Sequence, residues 1–239
     1  MTDCAAGHRF AIYFAPPADS PLYRFGSACL GRDALTGAEL AQPVLDGLPA
    51  ERWREITASP RMYGFHATLK PPFHLSGERS SEELVPALEQ FAAERKPFEA
   101  SPLRLARISN FLAMVLCESS VAMSELAEAC VCGFDGFRAP PTPEELARRR
   151  SASLTLRQLV LLACWGYPYV LEEWRFHMTL ANGLVRTEAD HLCRSLEPLA
   201  APCCASPLLV DAVCLFEQPD ANVPFRLARR FPFGDKPHE

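Results

Sequence analysis

Three observations predict an α+β protein. Short runs rich in Ile, Tyr, Phe and Val alternate with stretches that carry helix-start signals and helical apolar spacing. Each half of the chain reads as a strand or strands, a helix, and then paired strands. One tetrapeptide also returns within the chain, each time in a strand-like run: His66-Ala67-Thr68-Leu69 and His177-Met178-Thr179-Leu180.

Taken in order, Arg9 to Ala15 reads as a first strand that Pro16 and Pro17 end. Ser20-Pro21 opens a helix with a serine cap and a first-position proline, and Gly31 closes it. Pro49 to Ser59 gives a second helix, with Trp53 and Ile56 on one face. The first motif strand, Phe65 to Lys70, follows, and Pro71-Pro72 is expected to stop it. Ser80-x-x-Glu83 is a capping box, with Leu84, Leu88 and Phe91 at helical spacing behind it. Pro97 to Cys117 reads as strands around a turn at Ser109-Asn110, and Ser120 to Cys132 as a helix. Gly133 to Pro143 connects the halves. Thr142-Pro143-Glu144-Glu145 then starts a helix, and Arg148 to Arg150 reads as its solvated charged face. Leu154 to Trp165 is apolar on most sides and is expected to be buried. The second motif strand is Trp174 to Ala181. A helix from Thr187 to Leu199 and strands at Val210 to Phe216 and Pro224 to Phe233 complete the chain.

Composition narrows the function. At 239 residues and 49% hydrophobic, the chain can bury a good core as one domain or two small lobes. A net charge of −5 argues against extended nucleic acid as a partner, though not against a small phosphorylated ligand. No apolar run reaches membrane-spanning length, and Met1 to His8 does not resemble a secretory signal, so a cytoplasmic protein is expected. Ten cysteines lack zinc spacing: Cys130 and Cys132 are two apart, and Cys203 and Cys204 are adjacent. Cys29, Cys117, Cys164 and Cys214 lie in apolar runs and read as small buried residues. No metal site or cofactor is expected. His8, His191 and His238 read as surface residues.

The duplicated motif carries the chemistry. Side chains alternate along a strand, so His66 and Thr68 share one face, as do His177 and Thr179. A lone strand histidine is ordinarily a core residue with a satisfied hydrogen bond. Two copies at matched strand phase point instead to a cleft with two imidazoles and two hydroxyls. Two imidazoles on opposite sides of a phosphorus can take a proton from the attacking oxygen and give one to the leaving oxygen. Two hydroxyls can donate to the non-bridging oxygens, without a metal. Strand phase adds Lys70 beside Thr68 and Arg175 beside His177, either as phosphate contacts or as edge cations. Tyr13 either stacks on the substrate or packs. Tyr167 and Tyr169 are candidates for the cleft rim. A weaker alternative is a metal hydrolase built on His66, His74 and His177.

On these motifs the chain resembles the two-histidine phosphoesterase superfamily. The runs Ala11-Ile12-Tyr13-Phe14-Ala15-Pro16, Gly64 to Lys70, and Trp165-Gly166-Tyr167-Pro168-Tyr169-Val170 are similar to a bacterial branch encoded beside phosphonate-utilisation genes. The resemblance implies a bilobal domain over residues 1–239, with approximate halves 1–135 and 136–239 intertwined in sequence. Each lobe would hold a small antiparallel sheet with outer helices, the two meeting at a central cleft. With it, a cyclic phosphodiesterase is expected, with His66 and His177 catalytic and Thr68 and Thr179 binding substrate; Lys70, Arg175 and Tyr13 are the further substrate-binding candidates that strand phase and position give. The implied substrate is a small ribose or nucleotide cyclic phosphate, specifically a phosphoribosyl cyclic phosphate. The alternatives are an RNA 2′,3′-cyclic phosphate end, or a non-catalytic module that binds a nucleotide or phosphosugar.

Overall fold

The structure, a computed structural model, describes residues 7–150 and 153–234. β1 (Arg9–Phe14) leads into α1 (Pro21–Leu30), where the Ser20 hydroxyl accepts from the Tyr23 N–H and Gly31 caps the far end in the left-handed region. α2 (Ala50–Arg61) precedes β2 (Ala67–Phe73). α3 (Ser81–Ala93) starts in the expected Ser80/Glu83 capping box. β3 (Phe98–Ile108) and β4 (Phe111–Leu116) form a hairpin around Ser109. α4 (Val121–Gly133) and a 3-10 turn at Asp135–Phe137 lead to α5 (Pro143–Arg150), where Thr142 and Glu145 exchange capping bonds. α6 (Leu156–Trp165), β5 (Met178–Ala181), α7 (Arg186–Cys204), β6 (Pro207–Val210), β7 (Ala212–Gln218) and β8 (Arg226–Pro232) follow.

The strands form one eight-stranded sheet in the order β6-β3-β4-β5-β2-β1-β7-β8, antiparallel throughout. The two motif strands are central neighbours, joined by the single partner pair Ala67↔Met178. On either side lies a four-stranded group, β2-β1-β7-β8 and β5-β4-β3-β6. The two small sheets expected from the resemblance are therefore one continuous sheet with a narrow seam. Pairing β2 with β5 satisfies backbone groups that two separate sheets would leave on open edges.

Ala67 and Met178 both face the main core, with Leu69, Leu180, Phe10, Ile12 and Phe14. Trp53 and Ile56 of α2, Met123 and Leu126 of α4, and Leu192 and Leu196 of α7 cover that face. α1 comes so near the sheet that a Cβ at Gly26 would sit 2.2 Å from the Phe65 ring, so only glycine fits there. A smaller apolar cluster of Ala11, Tyr13, Ala15, Ala34, Cys214, Phe216 and Phe225 forms around the alternate side chains of β1. Among the described residues, no helix is long and apolar enough to cross a membrane.

Several local expectations are corrected. Pro71 and Pro72 lie inside β2, in the irregular stretch between the pairs Ile12↔Lys70 and Phe10↔Phe73, where the ladder is already interrupted. The second motif strand is shorter than expected: a 3-10 turn at Leu171–Glu173 leaves Trp174 to His177 outside the ladder. The Trp174 indole N–H instead donates to the Thr68 carbonyl at 2.7 Å, crossing the seam. α6 buries only Leu161 and Leu162, while Leu156, Leu159 and Val160 are exposed, because chain covers it on one side alone. α7 starts one residue before Thr187 and runs through Pro198 and Pro202. Cys29 and Cys214 are buried, whereas Cys117 and Cys164 are exposed.

Candidate functional site

The seam sets the site. With Ala67 opposite Met178 on the core face, the antiparallel register places His66 across from Thr179 and Thr68 across from His177 on the other face. All four line one cleft of about 340 Å³. Each histidine stands one residue before its strand, and each is aimed in the same way. His66 Nδ1 lies 2.8 Å from the Gly64 carbonyl, and His177 Nδ1 lies 2.9 Å from the Arg175 carbonyl. A carbonyl only accepts, so each Nδ1 carries the proton and Nε2 is left for the cleft. His66 Nε2 is 3.2 Å from the Thr68 hydroxyl oxygen.

Gly64 makes the first of these bonds possible. Its φ is +81°, and a Cβ there would lie 2.5 Å from the Ala34 Cβ. Tyr13 stacks on the His66 ring, with centroids 3.7 Å apart and planes 16° apart, and is itself buried. Burial pulls the His66 pKa down to about 4; nearby His177 adds to this, and the Gly64 bond opposes it. Burial also lowers the pKa of His177. Both imidazoles are thus neutral at pH 7, and His66 is held to the neutral form further into acid.

Of the residues singled out in the sequence, His66, Thr68, His177, Thr179, Tyr13 and Tyr167 line the cleft. Lys70 does not. Tyr13 pairs with Thr68 but Ile12 pairs with Lys70, so the bulge between them turns Lys70 to the face of Ile12. Its ammonium donates to the Val131 carbonyl at 3.0 Å and lies 3.5 Å from Asp135. Burial, partly offset by Asp135, lowers its pKa to about 8. Arg175 is also outside the cleft: its guanidinium donates to the carbonyls of Glu172 and Trp174, and its backbone carbonyl orients His177. His74 bonds the His8 carbonyl and lies 3.9 Å from Glu145, so it does not join the two motif histidines. His191 bonds the Asp46 carbonyl, and His238 lies outside the described residues.

The cleft holds residues that the motif reading missed: Arg9, Tyr63, Asn182 and Arg149. Arg9 shares strand phase with Ala11 and Tyr13, and that phase could have found it. Asn182 is set by its N–H, which donates to the Ile56 carbonyl at 2.8 Å. Arg149, read as part of a solvated face, stands over the Tyr167 ring at 5.5 Å, and no local pattern marks it.

Residues 68–226 match the family described as "Protein of unknown function (DUF1045)". The chain is 38% identical over 230 residues to ribose 1,5-bisphosphate phosphokinase PhnN of Janthinobacterium sp. (strain Marseille), covering 95% of this chain and 51% of the relative. It is 34% identical over 221 residues to the protein of the same name from Laribacter hongkongensis (strain HLHK9), covering 92% of this chain and 51% of that one. The chain thus spans about half the length of these curated relatives. Similar solved structures include a phosphoesterase (TM-score 0.42, 12% identity) and E. coli LigT complexed with 3′-AMP (TM-score 0.41, 13% identity). Each of these alignments covers 96% of this chain and 99% of the other. The match to the family description takes in most of the sheet and both threonines of the cleft, and the chain belongs to that family, DUF1045.

Proposed function

We propose that the chain is a metal-independent cyclic phosphodiesterase that opens the cyclic phosphate of a small ribose or nucleotide. The observation that carries this reading is the pairing of two His-x-Thr units across one seam, each imidazole aimed by the carbonyl two residues before it. His66, with the lower pKa, serves as general base and takes a proton from water. The water oxygen bonds to phosphorus as the ring P–O bond breaks. His177, protonated at Nε2, gives its proton to the departing ribose oxygen, and a phosphate monoester results. The hydroxyls of Thr68 and Thr179 donate to the non-bridging oxygens as negative charge gathers there. Lys70 and Arg175 take no part.

The curated relatives are named for a kinase that acts on ribose 1,5-bisphosphate, which supports a phosphorylated ribose as substrate. This sequence contains no G-x-x-x-x-G-K-[ST] phosphate loop, so kinase activity is not assigned to it. An RNA 2′,3′-cyclic phosphate end is the rival substrate.

The test is phosphorus NMR of chelator-treated protein with a ribose 1,2-cyclic phosphate and a nucleoside 2′,3′-cyclic phosphate. Ring opening that disappears in His66→Ala and in His177→Ala is expected. If neither ring opens, or if opening survives both substitutions, the reading is wrong. Ligand binding without turnover would favour the non-catalytic module.

A further inference from the structure

We propose that Arg9 and Arg149 form a subsite for a phosphate monoester. The substrate would then be a ribose with two phosphates, a cyclic diester at the histidines and a terminal monoester at the arginines. This rests on the phosphodiesterase reading and extends it to the substrate's second charge.

The first observation is the charge of the cleft. The chain has 29 acidic residues against 24 Lys and Arg, yet the described residues lining this cleft include two arginines, two histidines and no Asp or Glu. A cleft of one sign in an oppositely charged protein concentrates an anion at that place. One cyclic diester carries a single negative charge, and the histidine–threonine quartet already receives it.

The second observation is how Arg9 is held. Gln218 is 2% exposed, and its amide nitrogen donates to the Val223 carbonyl at 2.7 Å and the Ala221 carbonyl at 3.4 Å. Those bonds fix which way the amide points, so its oxygen faces Arg9 and accepts from both Nε and Nη2. The guanidinium also lies 5.3 Å from the centre of the Phe225 ring. These partners fix the guanidinium without cancelling its charge, because amide and ring are both neutral. Arg149 reaches the same cleft from α5, with Tyr167 beneath its guanidinium.

The third observation is spacing. Arg9 and Tyr13 lie on one face of β1, so their Cα atoms are about 13 Å apart at the usual rise per residue. Tyr13 stacks on His66, which marks the reacting phosphorus. Arg9 and His66 line the same cleft, and a sugar with a phosphate at each end is of a length comparable to that separation. The geometry thus favours a short substrate with a terminal phosphate.

The experiment compares kcat/KM for uridine 2′,3′-cyclic phosphate with and without a 5′-phosphate, in wild type, Arg9→Met, Arg149→Met and the double variant. The wild type is expected to prefer the 5′-phosphorylated substrate, and each substitution to reduce that preference by roughly 10- to 100-fold, as loss of charge-assisted hydrogen bonds does. In the double variant the preference should fall to near one. Because the readout is a ratio on one preparation, partial misfolding lowers both rates and leaves the ratio intact. Equal rates on the two substrates in wild type, or a preference that survives the double substitution, overturns the subsite. If neither ring opens, the phosphodiesterase reading fails, and calorimetry with ribose 5-phosphate and ribose then judges the subsite alone. Binding of ribose 5-phosphate but not ribose, abolished in the double variant, supports it; absent or unchanged binding overturns it.

Discussion

At the scale of single residues, the site is an exercise in aiming and neutralising two imidazoles. Both Nδ1 atoms are spent on carbonyls, so Nε2 is the atom left for the proposed acid–base chemistry in each case. Burial lowers both pKa values, His66 to about 4. The proposed roles set the sign of the pH dependence. Protonation disables the base as pH falls through the His66 value, and deprotonation disables the acid as pH rises past the His177 value, itself below the usual 6.5. The kcat/KM profile for a cyclic diester without other titrating groups is therefore expected to peak on the acid side of pH 6.5. A profile still rising through pH 8 would contradict the assignment. Lys70 illustrates the opposite case, a cation on the motif strand turned away from the site. Asp135 keeps Arg138 at 2.8 Å as a second partner, so Lys70→Met leaves no carboxylate stranded. That variant is expected to keep its ring-opening rate and to unfold within about 1.5 kcal/mol of wild type in urea.

At the scale of elements, short irregular segments decide where the motifs point. The bend at Gly64 places the carbonyl that holds His66, and the turn at Leu171–Glu173 delivers Trp174 and Arg175. Gly64→Ala forces a positive-φ alanine against Ala34. It is expected to cost roughly 1–3 kcal/mol and to lower kcat more than it raises KM, because the imidazole loses its aim. Thermal unfolding together with steady-state kinetics separates the two effects. The helices α1, α3 and α5 begin where Ser20, Ser80 and Thr142 say they should. Those signals are local, made of a hydroxyl and N–H groups within one turn, and need no tertiary context. α6 shows the limit of such reading: its apolar residues mark it as helix, but which of them are covered depends on what packs nearby.

At the scale of the whole molecule, the cleft exists because two four-stranded groups meet at one partner pair. With so little ladder between β2 and β5, the Trp174 indole bond to the Thr68 carbonyl becomes a main tie across the seam. Trp174→Phe keeps most of the apolar bulk and removes that bond. It is expected to cost about 1–3 kcal/mol, measured by urea unfolding, since the Thr68 carbonyl is left without its partner. Catalysis should fall further than stability, since the distance between the two motifs sets the rate. Unchanged kcat in a stable Trp174→Phe protein would show that the seam holds without the indole.

The sequence by itself determined the α+β class, most strands and helix starts, and the two motifs with their strand phase. These follow from side-chain alternation, helical spacing and local capping, all properties of a few neighbouring residues. It also singled out Tyr13, as a residue that stacks on substrate or packs, without saying that it stacks on His66. Tertiary structure decided what depends on partners far along the chain. Pairing with β1 introduced the bulge that turns Lys70 inward, where alternation alone had set it beside Thr68. The fold of α5 over Tyr167 brought Arg149 to the cleft, and the loop after β7 fixed Gln218 and so Arg9. The meeting of β2 and β5 made one sheet where two were expected. Periodicity records which face a side chain prefers; register, bulges and long-range pairing determine what that face meets.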